Sequence, residues 1–335
     1  MNTQDVKALF EALVAQHCQV STVFVSDWAN QWYDTYVANR CITKKSAAMY
    51  RQKLKNYIIP SIGNMAMGEV TELHLQSLIN NANSSKSTAQ KVKIVVQAMF
   101  RRAKACGFIL TDPSEHLTLP KAPQGTHRSI TDTERKEIME LAERHYAGLY
   151  VLTLLLTGIR PGEAIALRWD DINFEERTLT ICRAVESGTD TVIKEPKTAA
   201  GIRTIPIPDY LYERLQCWKG EGSDPVFRQP TTGRMHSGSS ANDLWNNFKR
   251  ELDIQMGAEI YRNKIIRSVV ATDLVPYCLR HTYCTDLQRA GVPINIAKYL
   301  MGHSDISVTS NIYTSTTPDV ISNAKESIDN FYSGL

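Results

Sequence analysis

No apolar run in the chain reaches bilayer-spanning length, so no membrane partner is expected. The first twenty residues, MNTQDVKALFEALVAQHCQV, interleave acidic and polar residues with the apolar ones. Residues 1–21 therefore read as a short amphipathic helix and not as a signal peptide, which predicts a cytoplasmic protein. Cysteine is sparse and unpatterned: the seven residues at 18, 41, 106, 182, 217, 278 and 284 include no CxxC pair. They read as reduced thiols, and neither zinc nor a disulfide is expected. Gly and Pro form no tracts, and a 43% hydrophobic, 22% charged composition excludes a largely disordered chain. There is no G-x-x-x-x-G-K-[ST] loop and no G-x-G-x-x-G turn, so no nucleotide and no other cofactor is expected.

Net charge is also small, +3, but it is unevenly spread. Residues 22–117 carry twelve Lys or Arg against six Asp or Glu, an excess of six, which leaves the remainder net negative by three. At 335 residues the chain exceeds what one core usually serves, and two domains are expected. In the basic front part, Phe24, Trp28, Trp32 and Tyr36 recur every fourth residue and predict an aromatic-faced helix packed in a core. A second helix should follow Thr43 and stop before Pro60. It carries Lys44, Lys45, Arg51, Lys53 and Lys55, which could face either solvent or phosphates. The polar stretch at 80–88 reads as a loop, a long helix should run from about Ala89 to Cys106, and residues 118–129, TLPKAPQGTHRS, have linker composition.

Beyond that linker, Thr131 to Glu134 has the form of a capping box opening a helix, and residues 148–157 form a buried one. Alternating runs at 178–184, 190–194 and 202–207 predict one small antiparallel sheet, and helices should resume from about Ala241 to the end. The whole reads as mainly α with a small antiparallel β-sheet.

Three clusters carry chemistry. In TGIRPGEAIAL, residues 157–167, Arg160 stands between the Gly158 turn and Pro161, which suits the first position of a helix. A guanidinium at a helix N-terminus fits a phosphate, and Glu163 could orient it. In VPYCLRHTYCTDLQRAG, residues 275–291, Tyr277, Arg280 and His281 share a helix face near the Pro276 start. His281 reads as a core histidine with its hydrogen bonds satisfied. In YLMGHSDISVTSNIYT, residues 299–314, Gly302 ends a helix, His303 follows, and Tyr313 comes ten residues later. The basic segment KEPKTAAGIRTIPI, residues 194–207, lies between the two Arg clusters.

In that order these residues resemble the tyrosine recombinase, or phage integrase, family, whose catalytic domain carries Arg, a hairpin Lys, His-x-x-Arg, His or Trp, and a final Tyr. YRQKLKNYIIPSIGNMAMGEVT and GFILTDPSEHL likewise resemble the family's helical, SAM-like core-binding domain, and integrases of phages and conjugative transposons are most similar. The resemblance implies a DNA clamp: a core-binding domain at 22–117, the linker at 118–129 and a catalytic domain at 130–335. It implies an enzyme that cleaves and rejoins double-stranded DNA sites through a 3′-phosphotyrosyl link at Tyr313, without metal. Arg160 and Arg280 would hold the scissile phosphate, Lys197, with Lys194 as the second choice, would protonate the leaving 5′ oxygen, and His303 would hydrogen-bond the phosphate or the nucleophile. The family's first His is Tyr277 here. The phenol's proton could then pass to His303, the two Arg could suffice electrostatically, or Tyr277 could serve as a hydrogen-bond donor. From about residue 317, the stripe Val320, Ile321, Ala324, Ile328 and Phe331 predicts a tail helix. By resemblance it docks into a neighbouring subunit of a tetramer; it could equally pack on its own domain. An excisionase or a host DNA-bending protein could assist, and the separate arm-site domain of many integrases is not expected. Two alternatives remain open, a type IB topoisomerase and a DNA-binding regulator weakened in catalysis.

Overall fold

The computed structural model describes residues 23–38, 43–82, 85–121, 127–186, 188, 191–195 and 201–313. Of these, the side chains of Lys44 and residues 311–313 are left undescribed. The expected N-terminal helix, Lys197 and the tail helix lie outside the described residues. The chain divides into two compact units, Met1–Thr126 and His127–Leu335, at a point inside the stretch read as a linker.

The first unit is helical. Helix α1, Val25–Trp32, continues as a π turn over Tyr33–Ala38. Helix α2, Lys44–Lys53, is capped by Thr43, whose hydroxyl accepts from the Ser46 N–H at 3.2 Å. The chain does not leave the helix before Pro60. A π turn over Leu54–Ile58 leads into α3, Ile59–Ile62, with Pro60 in its first turn. The Ile59 N–H reaches back to Leu54 O, so the widened turn ends where a proline can enter without losing a needed donor. Helix α4, Glu72–Asn81, and α5, Lys86–Ala105, complete the unit. Trp28 and Trp32 are buried with Leu54, Ile58, Val96 and Phe100, and the Trp28 indole donates to Met99 O at 3.2 Å.

The second unit packs helices around a small sheet. Helix α6, Asp132–Ala142, opens with the expected capping box of Thr131 and Glu134, and α7, Gly148–Thr157, is almost wholly buried. Helix α8 spans Pro161–Ile165. Strands β1 (Ile172–Asn173), β2 (Thr178–Ile181) and β5 (Arg203–Pro206) form one antiparallel sheet, whereas β3 (Ala184–Val185) and β4 (Ile193–Lys194) pair separately. The single sheet read from the sequence is therefore two. The run breaks after Ile181 because Cys182 and Arg183 turn to Asp171, the latter in a 2.7 Å ion pair. Helix α9, Asp209–Cys217, and α10, Gly238–Gln255, follow.

A hairpin that the sequence reading took for helix comes next, β6 (Glu259–Tyr261) with β7 (Lys264–Arg267). Its turn residues, Arg262 and Asn263, both have positive φ, the geometry of a two-residue hairpin turn without the glycine that usually signals it. The unit continues through α11, Pro276–Arg289, α12, Ile294–Met301, and α13, Ile306–Tyr313. Among the described residues no helix is long and apolar enough to cross a membrane, and the described cysteines are unpaired.

Gly158, which ends α7, has φ +62°, and a Cβ there would lie 2.2 Å from the Tyr283 ring. Left-handed backbone costs an L-residue roughly 1–2 kcal/mol and overpacking adds about 1–3 kcal/mol. Gly158→Ala should therefore lower the unfolding free energy by at least ~2 kcal/mol in urea titrations, and an unchanged midpoint would contradict this account.

Candidate active site

Helix α12 ends on Gly302, again left-handed with φ +62°. Three successive carbonyls at this end are each taken by a different guanidinium. Arg203 Nε donates to Leu300 O at 2.8 Å, Arg280 Nη2 donates to Met301 O, and Arg160 Nη2 donates to Gly302 O at 2.9 Å. The carboxyl end of a helix carries partial negative charge and unpaired carbonyls, which is why cations gather there. Gly302 admits no side chain, since a Cβ would sit 2.8 Å from Arg203 Nη1.

The sequence places two of these arginines at helix starts, and both are found there. Arg160 caps α8 with Pro161 in the first turn, and its Nη1 donates to Glu163 Oε1 at 2.7 Å while its backbone N–H donates to Oε2 at 2.8 Å. Arg280, one turn into α11, is buried, and its Nη1 donates to Gly158 O at 2.6 Å. Both left-handed turns thus present a carbonyl to an arginine of the cluster. Arg203 went unrecognised in the sequence. It lies on β5 in phase with the buried Ile205, and its side chain is 0% exposed. Its signal was a charged residue on the apolar phase of a strand, which needs a buried carboxylate.

That carboxylate is Glu163, which also accepts from Arg203 Nη2 at 2.8 Å and Nη1 at 3.3 Å. Burial alone would raise its pKa, but the hydrogen bonds and charge of Arg203, together with Arg160, hold it at about 2. Arg280 is pushed down to about 9 by burial and then by the neighbouring Arg160. Among the described residues no carboxylate forms an ion pair with it. Three guanidiniums against one carboxylate leave the cluster cationic, with Arg160 its most exposed member at 36%. Such an arrangement can hold an anion.

His303 follows the turn, half-buried, with Nδ1 2.9 Å from the hydroxyl of buried Thr309 on α13. Burial first, then Arg280 and Arg160, lowers its pKa to about 4. Helix α13 ends at Tyr313, whose side chain lies outside the described residues. Tyr277 is 44% exposed and stacks on His127 at 5.3 Å between ring centroids. The Nδ1 of His281 lies 3.1 Å from Ser129 Oγ, so the structure gives it a hydroxyl partner. Lys194 pairs with Glu186 at 2.8 Å. In the first unit Lys45, Arg51 and Lys55 are exposed. Lys53 departs from that solvated face: it is 8% exposed, with Nζ 5.0 Å from the centre of the Tyr57 ring.

The His303 shift has a measurable consequence. The folded chain holds His303 neutral down to about pH 4, whereas an unfolded histidine protonates near 6.5. Unfolding therefore takes up a proton in that window, so this contribution is complete above pH ~6.5 and is lost as pH falls through the window. The thermal midpoint of His303→Gln should fall less than the wild-type midpoint between pH 6.5 and 4, and parallel falls would remove His303 as a source of the dependence.

Two family models match the chain, the phage integrase family over residues 128–319 and the phage integrase central domain over 25–119. A tyrosine recombinase XerC-like protein of Caldanaerobacter subterraneus subsp. tengcongensis is 26% identical over 310 residues, covering 84% of this chain and 77% of that protein. In fold, the chain is similar to the Tn1549 transposon integrase solved in complex with transposon right end DNA, with a TM-score of 0.72 at 19% identity over 92% of this chain and all of that one. It is also similar to lambda integrase solved as a tetramer bound to a Holliday junction, with a TM-score of 0.61 at 19% identity over 89% of this chain and 80% of that one. With its arginine cluster in the part matched by the first model, and that model spanning more than half of its length, the chain belongs to the phage integrase family of tyrosine recombinases.

Proposed function

We propose that the protein is a site-specific DNA recombinase that integrates or excises a mobile element by cutting and rejoining DNA through Tyr313. The observation that carries the site assignment is the three-arginine cluster on the carboxyl end of α12, whose buried Arg280 has carbonyls but, among the described residues, no carboxylate in an ion pair with it. A buried cation without a counter-ion is costly, and a phosphate diester held by Arg160 and Arg280 completes the charge. Preorganised donors of this kind are worth most when charge builds up in a transition state, as it does on the oxygens of a five-coordinate phosphorus.

In this reading the Tyr313 oxygen attacks phosphorus, a 3′-phosphotyrosyl ester forms, and the bond to the 5′ oxygen breaks. Lys197 delivers a proton to that oxygen, with Lys194 as its alternative. Religation runs the step backwards, so the phosphodiester energy is kept. His303, neutral near pH 7, can accept the phenol's proton or donate to the phosphate, and the incoming negative charge favours its protonated form. Residues 22–117 would be the core-binding domain, with Lys45, Arg51 and Lys55 towards phosphates and Lys53 in a packing role. Assembly as a tetramer on synapsed sites, with the tail helix exchanged between subunits, and action in the cytoplasm belong to the same proposal. Relaxation of DNA without a defined site and regulation without cleavage are less favoured, because the matched family and the XerC-like relative are recombinases.

A nicked suicide substrate carrying the element's end should trap an SDS-resistant protein–DNA adduct. Tyr313→Phe should abolish the adduct while still binding DNA; an adduct that survives would move the nucleophile elsewhere. Arg160→Ala should slow adduct formation by ~10²–10³, the usual cost of one such donor. Affinity should fall steeply with salt, with a log–log slope near −0.9 for each phosphate contacted. Replacing Lys45 and Lys55 together by Ala should reduce that slope by about two, and an unchanged slope would remove this face from the interface.

A further inference from the structure

We propose that Arg203 is a positioning residue for the transesterification, holding Arg160 through Glu163 and holding the Gly302–His303 turn through the Leu300 carbonyl. The proposal rests on the recombinase reading above. Arg203 makes no contact with solvent, so it cannot touch DNA itself. Its Nη1 and Nη2 bind the two Glu163 oxygens, its Nε binds Leu300 O, and Nη1 also lies 3.4 Å from Gly201 O.

Each of those partners leads to a site residue. The oxygen Oε1 of Glu163 is shared between Arg203 Nη1 and Arg160 Nη1, and Oε2 is shared between Arg203 Nη2 and the Arg160 backbone N–H. The carboxylate is therefore held on one side by a group with no freedom to move, and it passes that fixity to the guanidinium on the exposed side. Leu300 immediately precedes Met301 and Gly302, whose carbonyls hold Arg280 and Arg160. The Gly302 turn that aims His303 is itself built against Arg203, at a distance no side chain would allow.

Stability alone is a weak reason for this arrangement. A buried ion pair costs so much desolvation that an apolar pair of similar volume is often as stable. What an apolar pair could not do is hold the Arg160 guanidinium on one oxygen and its backbone N–H on the other oxygen of a carboxylate whose direction is set from behind.

Four proteins test this: the wild type, Arg203→Met, Arg160→Ala and the double variant. Three readouts are needed, the thermal midpoint, the affinity for an intact site and the single-turnover rate of adduct formation at saturating suicide substrate. Arg203→Met should lose ~10² in single-turnover rate, the scale expected when a catalytic group is misplaced by about an ångström, with affinity changed less than about threefold. In the Arg160→Ala background the same change should cost far less, because the group it positions is already gone. Arg203→Lys, which keeps a charge but not the fork, should recover only part of the rate. Fully additive losses, or a rate per folded molecule equal to wild type, would overturn the proposal. If Arg203→Met does not fold, the Glu163→Gln/Arg203→Gln pair replaces it with the same expectation, and failure of both to fold would make the pair a folding element and overturn it too. A wild type that forms no adduct would instead sink the recombinase reading, so the two failures are distinguishable.

Discussion

The end of helix α12 is the constraint on which the second unit depends. A helix terminus leaves carbonyls that must find donors, and here the last three are answered by arginines from three places in the sequence: the start of α8, strand β5 and a position one turn into α11. Residues 160, 203 and 280 are thereby brought to one point by backbone groups that cannot relocate without unwinding the helix. The left-handed turns at Gly158 and Gly302 do the rest, one offering its carbonyl to Arg280 and the other to Arg160. Both turns need glycine for conformation and for closeness of approach.

Gathering like charges has a cost, visible in the guanidinium of Arg280 falling to about 9 and the imidazole of His303 to about 4. A single carboxylate offsets part of it. Glu163 neutralises Arg203 at its back and Arg160 at its front, and it leaves Arg280 to the carbonyl dipoles. Among the described residues the arginine without a carboxylate ion pair is the buried Arg280, whereas Arg160, the most exposed of the three, is paired with Glu163. In the proposed reading a second carboxylate would stabilise the free protein and weaken its hold on phosphate.

Much of this was legible in the sequence because it depends on local rules. Gly158, Pro161 and Glu163 announce a helix start with an oriented arginine, and Gly302 announces a helix end, from residue types alone. Thr131 with Glu134 was equally readable. Arg203 was not, because its importance comes from Leu300 and Glu163, which are far from it in sequence, and a basic hairpin hides one more arginine easily. The β6–β7 hairpin escaped for a related reason: its turn is made by Arg262 and Asn263, whose positive φ no glycine advertises. Pro60 misled in the opposite sense, since a π turn before it let the helix continue.

In the proposed mechanism, the phenol of Tyr277 in place of the family's imidazole bears on how Tyr313 would lose its proton. Tyr277 is 44% exposed and stacks on His127, and it is near enough to the cluster for its charge to act on Arg280. His303 is half-buried, tied to Thr309 on the helix that ends at Tyr313, and kept unprotonated by burial first and then by Arg280 and Arg160. An imidazole of low intrinsic basicity is a poor base in the empty site. In the proposed reading a bound phosphate would oppose the share of that shift owed to the arginines, the share owed to burial remaining. Proton acceptance by His303 would then be stronger with DNA in place, which would tie activation of the phenol to occupation of the site without requiring a base at position 277.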